Sequence, residues 1–144
     1  MATFQVVDEW ANYLSTKKVD VSADTYKAAL TNVAPTKAGT QVIGDISQIT
    51  ATGGYAVVTL TGVSFAETGA GTGIWKFTCA AISWTASAPG FDTARYVVIY
   101  NDTSVTPAKP VVGFLDNGAT FSLQAGNSAT FTPGANGVYT STVS

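Results

Sequence analysis

Side chains able to move a proton or attack a bond are few: seven Lys and Arg, nine Asp and Glu, one Cys and no His in 144 residues. General acid and base work by paired carboxylates would have to draw on Glu67, Asp92, Asp102 and Asp116. Each reads as a loop or strand-end position, where a carboxylate is normally just hydrated. A nucleophilic Ser or Thr would need a Lys or a carboxylate as its base, and no Gly-x-Ser-x-Gly elbow is present. No catalytic residue is therefore assigned, and an enzyme is not expected.

Metal and phosphate chemistry fare no better. Asp20-Val21-Ser22-Ala23-Asp24 starts like a calcium loop, but the sixth position is Thr25 instead of Gly and the twelfth is Thr31 instead of a bidentate Glu. It reads as a turn leading into a strand. The glycines between Gly69 and Gly73 lack a following Lys-Ser/Thr pair and read as a loop. Cys79, being alone, excludes an intramolecular disulfide and a multi-Cys metal site, and its neighbours Trp75, Phe77 and Ala81 mark it as core. Asn101-Asp102-Thr103 spells a glycosylation acceptor, which has meaning only in a eukaryotic secretory route. No metal and no cofactor are expected.

Charge is scarce throughout. Charged residues make up 11% of the chain, against about a quarter in an ordinary soluble domain. None at all occurs from Asn117 to Ser144. In their place stand 22 Thr, 11 Ser and 14 Gly, which hydrate a surface without repelling neighbours and so suit a protein that ends packed against others. The net charge is -2 and the basic residues are scattered, so no row of phosphates is matched and nucleic acid is not an expected partner. No apolar run is long enough to span a bilayer, so no membrane partner is expected. The amino terminus lacks a basic stretch ahead of an apolar one, and retention in a cytosol is expected.

The elements that must hold these residues are mostly strands. Phe4, Val7, Ala11 and Leu14 recur at helical spacing and predict an amphipathic helix within residues 1–18, with Thr3 as its cap. Beyond Asp24 the texture turns to alternation and β-branched residues between turn clusters. Strands are predicted at 25–32, 55–62, 74–82, 94–100, 110–115, 120–124, 129–132 and 137–143. The third should change parity near Ala81, because Trp75, Phe77 and Cys79 lie on one face whereas Ile82 and Trp84 continue on the other. Residues 94–100 are apolar on both faces and predict a central, doubly covered strand. The predicted fold is mainly β: one domain over 1–144, a jelly-roll-like antiparallel β-sandwich over 25–144, with a short N-terminal α-helix. The uncharged strands of the tail carry no edge-protecting charge, so they should be central or covered by another chain.

Among the aromatics, Trp75, Phe77, Trp84, Tyr96 and Tyr100 sit in strong strands and are read as core. Trp10, Phe91, Phe114 and Tyr139 are the candidate contact residues for a protein partner.

Several segments in this order carry a resemblance: residues 6–12 (Val-Val-Asp-Glu-Trp-Ala-Asn), 25–35, 94–102 (Ala-Arg-Tyr-Val-Val-Ile-Tyr-Asn-Asp) and 109–116 (Lys-Pro-Val-Val-Gly-Phe-Leu-Asp). Over nearly its whole length the chain resembles a family of small virion proteins of tailed bacteriophages, several of them head decoration or cement proteins. The resemblance implies a structural protein of the virion, assembled in the host cytoplasm and bound to the capsid exterior. Its partners would be the major capsid protein and further copies of itself. The alternative it leaves is a tail or fibre component that binds a host surface glycan or protein. The shared segments are strands and turns, so no binding residue is carried over from them.

Overall fold

The structure, a computed structural model, describes residues 3–143. Its first layer is a five-stranded antiparallel sheet in the spatial order β1 (Phe4–Val6), β8 (Val111–Phe121), β7 (Ala94–Asn101), β2 (Tyr26–Thr31) and β3 (Val58–Thr59). The second layer combines β10 (Tyr139–Thr142), β5 (Ile74–Thr78) and β4 (Ser64–Glu67) with the pair β6 (Ile82–Thr85) and β9 (Ser128–Phe131). With 41% strand against 6% helix, the molecule is the mainly β, sandwich-like fold that the alternation predicts.

Apolar pairing builds the centre. β7 lies between β8 and β2, and all its residues but Arg95 are buried, as its two-faced apolar pattern requires. Tyr26, Ala28 and Leu30 of β2 face the second layer, where Phe77, Ile82 and Trp84 meet them. The rings of Tyr26 and Phe77 pack edge to face, with centroids 5.5 Å apart. Ala29, Val98, Val112 and Phe114 on the other face of the first sheet are also buried. The connection 32–57 supplies Ile43, Ile46, Ile49 and Tyr55 to the same apolar cluster, and it is tied by backbone bonds to Leu30 and Val111.

Several expectations are corrected. The N-terminal segment is not one helix: Phe4–Val6 pairs with Gly113–Leu115 of β8, and the helix α1 covers only Trp10–Ser15. Phe4 and Val6 alternate with Gln5 as well as fitting a helical period, and the exposed ladder of β8 outbids a single helical turn. Gly113 permits that pairing, because a Cβ there would run into the Gln5 carbonyl and the Phe4 ring. Glu9, not Thr3, holds the N-cap position, without a side-chain capping bond. The predicted strand 55–62 shrinks to Val58–Thr59 because the chain then leaves the first layer, and β4 was missed.

The predicted strand 74–82 divides into β5 and β6, with the parity change falling between Cys79 and Ile82 as anticipated. The two predicted strands 110–115 and 120–124 are largely one. Asn117-Gly118, a pair with the composition of a turn, is a bulge inside β8: Tyr96 faces Asp116, yet Ala94 faces Phe121. Gly118 takes a positive φ of 83° there. Arg95 spans the bulge with Nε and Nη2 bonds of 2.8 and 2.9 Å to the two oxygens of Asp116.

The tail strands are not central. β10 ends its sheet and β9 is the outer member of its pair. Together they run antiparallel to β5 and β6 as one bent ribbon, Phe131 facing Ile82 and Tyr139 facing Phe77. The surplus residues between them fold into a turn bridged by Gly134 and Gly137.

Candidate functional site

One side of the sandwich is closed and the other is open. On the closed side the chain steps from β3 to β4, donating Leu60 N–H to Tyr26 O and accepting Ala80 N–H at Thr61 O. On the open side β1 and β8 face β9 and β10, and among the described residues no backbone hydrogen bond joins them. Three cavities of about 310, 490 and 230 Å³ follow this seam in turn. The first two share Leu115 and Phe131. The third lies between α1 (Ala11, Leu14) and Thr140 and Ser141 of β10. None of the three is lined by an Asp, Glu, Lys or Arg.

An aromatic chain fastens the seam at one point. Trp10 Nε1 donates to Tyr139 Oη at 2.8 Å, and the Tyr139 ring stacks between Phe77, at 5.4 Å, and Phe4, at 6.5 Å. Burial raises the Tyr139 pKa above the ordinary phenol value, partly offset by the Trp10 bond. Further along the same sheet Phe65 stacks on Trp75 at 5.7 Å. Trp75, read as core from the sequence, is instead 37% exposed, because it sits near the end of β5 beyond the reach of the first layer.

Of the four candidate contact residues, three lie inside. Trp10 is 1% exposed, wedged against Tyr26, and Phe114 is 4% exposed on the far face of β8 opposite Val98. Phe91, at 7%, packs edge-on against Tyr55. Aromatic area of this size is drawn into the core wherever the backbone lets it reach. Tyr139, half-buried, lies on the seam, and the buried Trp10 that donates to it reaches the same groove. The seam residues that sequence reasoning did not single out are Leu123, Ala129, Phe131, Thr140 and Ser141. The absence of charge after Asp116 was the available signal for them.

The chemically capable side chains are occupied elsewhere. Asp102 contacts Lys27 Nζ at 2.8 Å and Lys109 Nζ at 3.0 Å. The Lys27 bond above all holds its carboxyl below the usual range. Asp116 is likewise lowered by Arg95, and Asp20 by the hydroxyl and N–H of Ser22 within its own turn. Asp24 accepts from Asn101 Nδ2 at 2.7 Å, and Glu67 from the N–H groups of Gly71 and Gly73. Among the described residues no group of three or more His, Cys, Asp or Glu is placed to hold a metal ion. Burial pushes the Cys79 thiol up to about 11, away from the reactive thiolate. Ser15 and Lys18 spell Ser-x-x-Lys, but the Ser15 hydroxyl is bonded to Ala11 O and both residues are exposed at the end of α1. No helix among the described residues is long and apolar enough to cross a membrane.

Asp102 makes a pH test. A carboxyl whose folded pKa lies below its unfolded value adds stability that is full above the unfolded pKa and is lost as pH falls through the folded one. Asp102→Asn is expected to reduce stability at neutral pH and to flatten the acid limb of the stability curve. Urea denaturation at a series of pH values between about 2 and 7 reads this directly. An unchanged acid limb would show that the lysine pair contributes nothing.

Comparison of the chain with protein-family profiles, with curated proteins and with solved structures finds no match in any of the three.

Proposed function

We propose that the protein is a structural component of a tailed-bacteriophage virion, a decoration or cement subunit that binds the capsid exterior, with the major capsid protein as its partner. The observation that carries this reading is the open seam, flanked by a stretch without charge from Asn117 to Ser144. An uncharged, Thr-rich sheet edge is a hazard for a freely diffusing protein and an asset for one that is buried in an assembly. The sequence resemblance supports the virion context. Modest contact energy per copy suffices when a symmetric shell repeats the contact.

Imaging of purified particles tests the reading: density repeating over the icosahedral surface is expected, and density confined to the tail would overturn it. Binding to emptied shells should also change little with salt, less than about three-fold between 50 and 500 mM, because few exposed ion pairs are available to be screened. A steep salt dependence would count against a neutral contact surface.

A second reading, a tail or fibre component that binds a host glycan, draws on the half-exposed Trp75 stacked on Phe65, an aromatic shelf of the kind sugar rings cover. Loss of adsorption to host cells on Trp75→Ala, with particle density restricted to the tail, would favour it.

A further inference from the structure

We infer that two copies of the chain join edge to edge through β10, antiparallel about a two-fold axis at Ser141. This rests on reading the seam as an assembly surface and names the occupant of its β10 edge: a second copy of the same strand.

The hydrogen-bond phase of β10 carries the argument. Val143 N–H donates to Gly73 O, and Ser141 faces Trp75 while Tyr139 faces Phe77. In an antiparallel ladder bonded and non-bonded pairs alternate, so residues 139, 141 and 143 turn their backbone groups toward β5. The N–H and C=O of Thr140 and Thr142 therefore point off the edge of the sheet. Both residues are exposed, and among the described residues no strand is paired to that edge of β10.

That pattern is complementary to itself. In the two-fold arrangement Thr140 of one copy lies opposite Thr142 of the other, and each such pair exchanges both of its backbone hydrogen bonds. Ser141 meets Ser141 as the non-bonded pair between them. The three central pairs bring together only Thr and Ser, a favourable cross-strand combination, Tyr139 and Val143 meet beyond them, and no like charges meet.

The remaining sheet edges are guarded in ways that β10 is not. β1 has three residues, β3 has two, and β4 ends on Glu67. β9, whose Ser128 and Thr130 side chains bond back to Thr85 and Ser83 of β6, has an edge that borders the apolar groove at Leu115 and Phe131. Beside β10 lies an uncharged groove of about 230 Å³ against Ala11 and Leu14, and Trp75, exposed on the adjacent strand, gains cover when a second β10 arrives.

Ser141→Cys gives the sharpest test. A non-bonded antiparallel pair holds its Cα atoms about 4.5 Å apart, within disulfide reach. Oxidation is expected to convert most of the variant to a covalent dimer. Ser83→Cys, on the outer face of β6, is expected to form no covalent dimer under the same oxidation, and the native Cys79 is buried and does not compete.

Sedimentation should find the unmodified chain dimeric at roughly 50 μM, near −6 kcal/mol or better in association free energy. Thr140→Pro removes an outward N–H without touching the bonds to β5 and should give a monomer. Thr142→Lys, which installs the usual edge charge, should do the same and serves if the proline variant fails to fold. A monomeric native chain, a dimer indifferent to both substitutions, or an uncrosslinked Ser141→Cys each overturns the inference. Particle binding that survives dimer loss would leave the virion reading standing, whereas a dimer that never decorates particles would sink that reading and spare the pairing.

Discussion

Phe77→Ala is expected to lower the unfolding free energy by about 3–5 kcal/mol, a large part of the 5–15 kcal/mol that holds a domain of this size. Phe77 is fully buried and is the point where the two layers and the seam meet. Its ring touches Tyr26 of the first sheet edge-on and stacks on Tyr139, while its backbone oxygen accepts the Val138 N–H that starts the last strand. Removing the ring opens a cavity against side chains fixed by other bonds, Tyr139 by Trp10 and Tyr26 by its strand neighbours, so collapse into the gap is limited. Urea denaturation should show a lower midpoint with an unchanged slope, and Phe77→Leu should recover more than half of the loss. A cost under about 1 kcal/mol would mean that the second layer is not held by this contact.

Asn101→Ala should cost about 3 kcal/mol although it removes little apolar area. The side chain is fully buried and works at both ends: Nδ2 donates to Asp24, and Oδ1 accepts the N–H groups of Thr103 and Ser104 at 2.8 Å. Alanine leaves the amides of Thr103 and Ser104 without their acceptor at the end of the central strand and reduces Asp24 Oδ2 to the single bond from Asp20 N–H. Asn101→Asp separates the contributions. It keeps an acceptor for the two amides but sets a second carboxylate against Asp24, so the variant should be destabilised at neutral pH and recover as the pH falls and one of the pair takes a proton. Stability curves of the two variants across pH check both statements, and a pH-independent Asn101→Asp would contradict the like-charge account.

Both effects concern the interior of the molecule, and the surface proposed for assembly lies outside it. Phe77 anchors β5, β5 holds β10 from one side, and the outward groups of β10 remain available. A sheet edge held flat by a stacked aromatic row is preorganised, so little ordering remains to be done when a partner strand arrives. Loss of Phe77 should therefore weaken dimerisation as well as folding, whereas the edge substitutions act on dimerisation alone.

The strands Tyr26–Thr31 and Ala94–Asn101 were legible in the residues because they are covered on both faces and local pattern and burial agree there. The parity change after Cys79 was legible for the same reason. So was the shortage of reactive groups, since composition does not depend on the fold.

Which strand borders which was not legible. Phe4, Val6 and Val7 satisfy a helical and an alternating period together, and only the free ladder of β8 decides between them. Asn117-Gly118 has the composition of a hairpin turn, and only the pairing of Ala94 with Phe121 makes it a bulge. Residue types alone marked Trp10, Phe91 and Phe114 as contacts; the tertiary structure buried them and left the lightly decorated Thr140–Thr142 edge open. The reason is physical: a side chain's affinity for the interior is local, but whether a backbone edge finds a partner depends on strands far away in the chain.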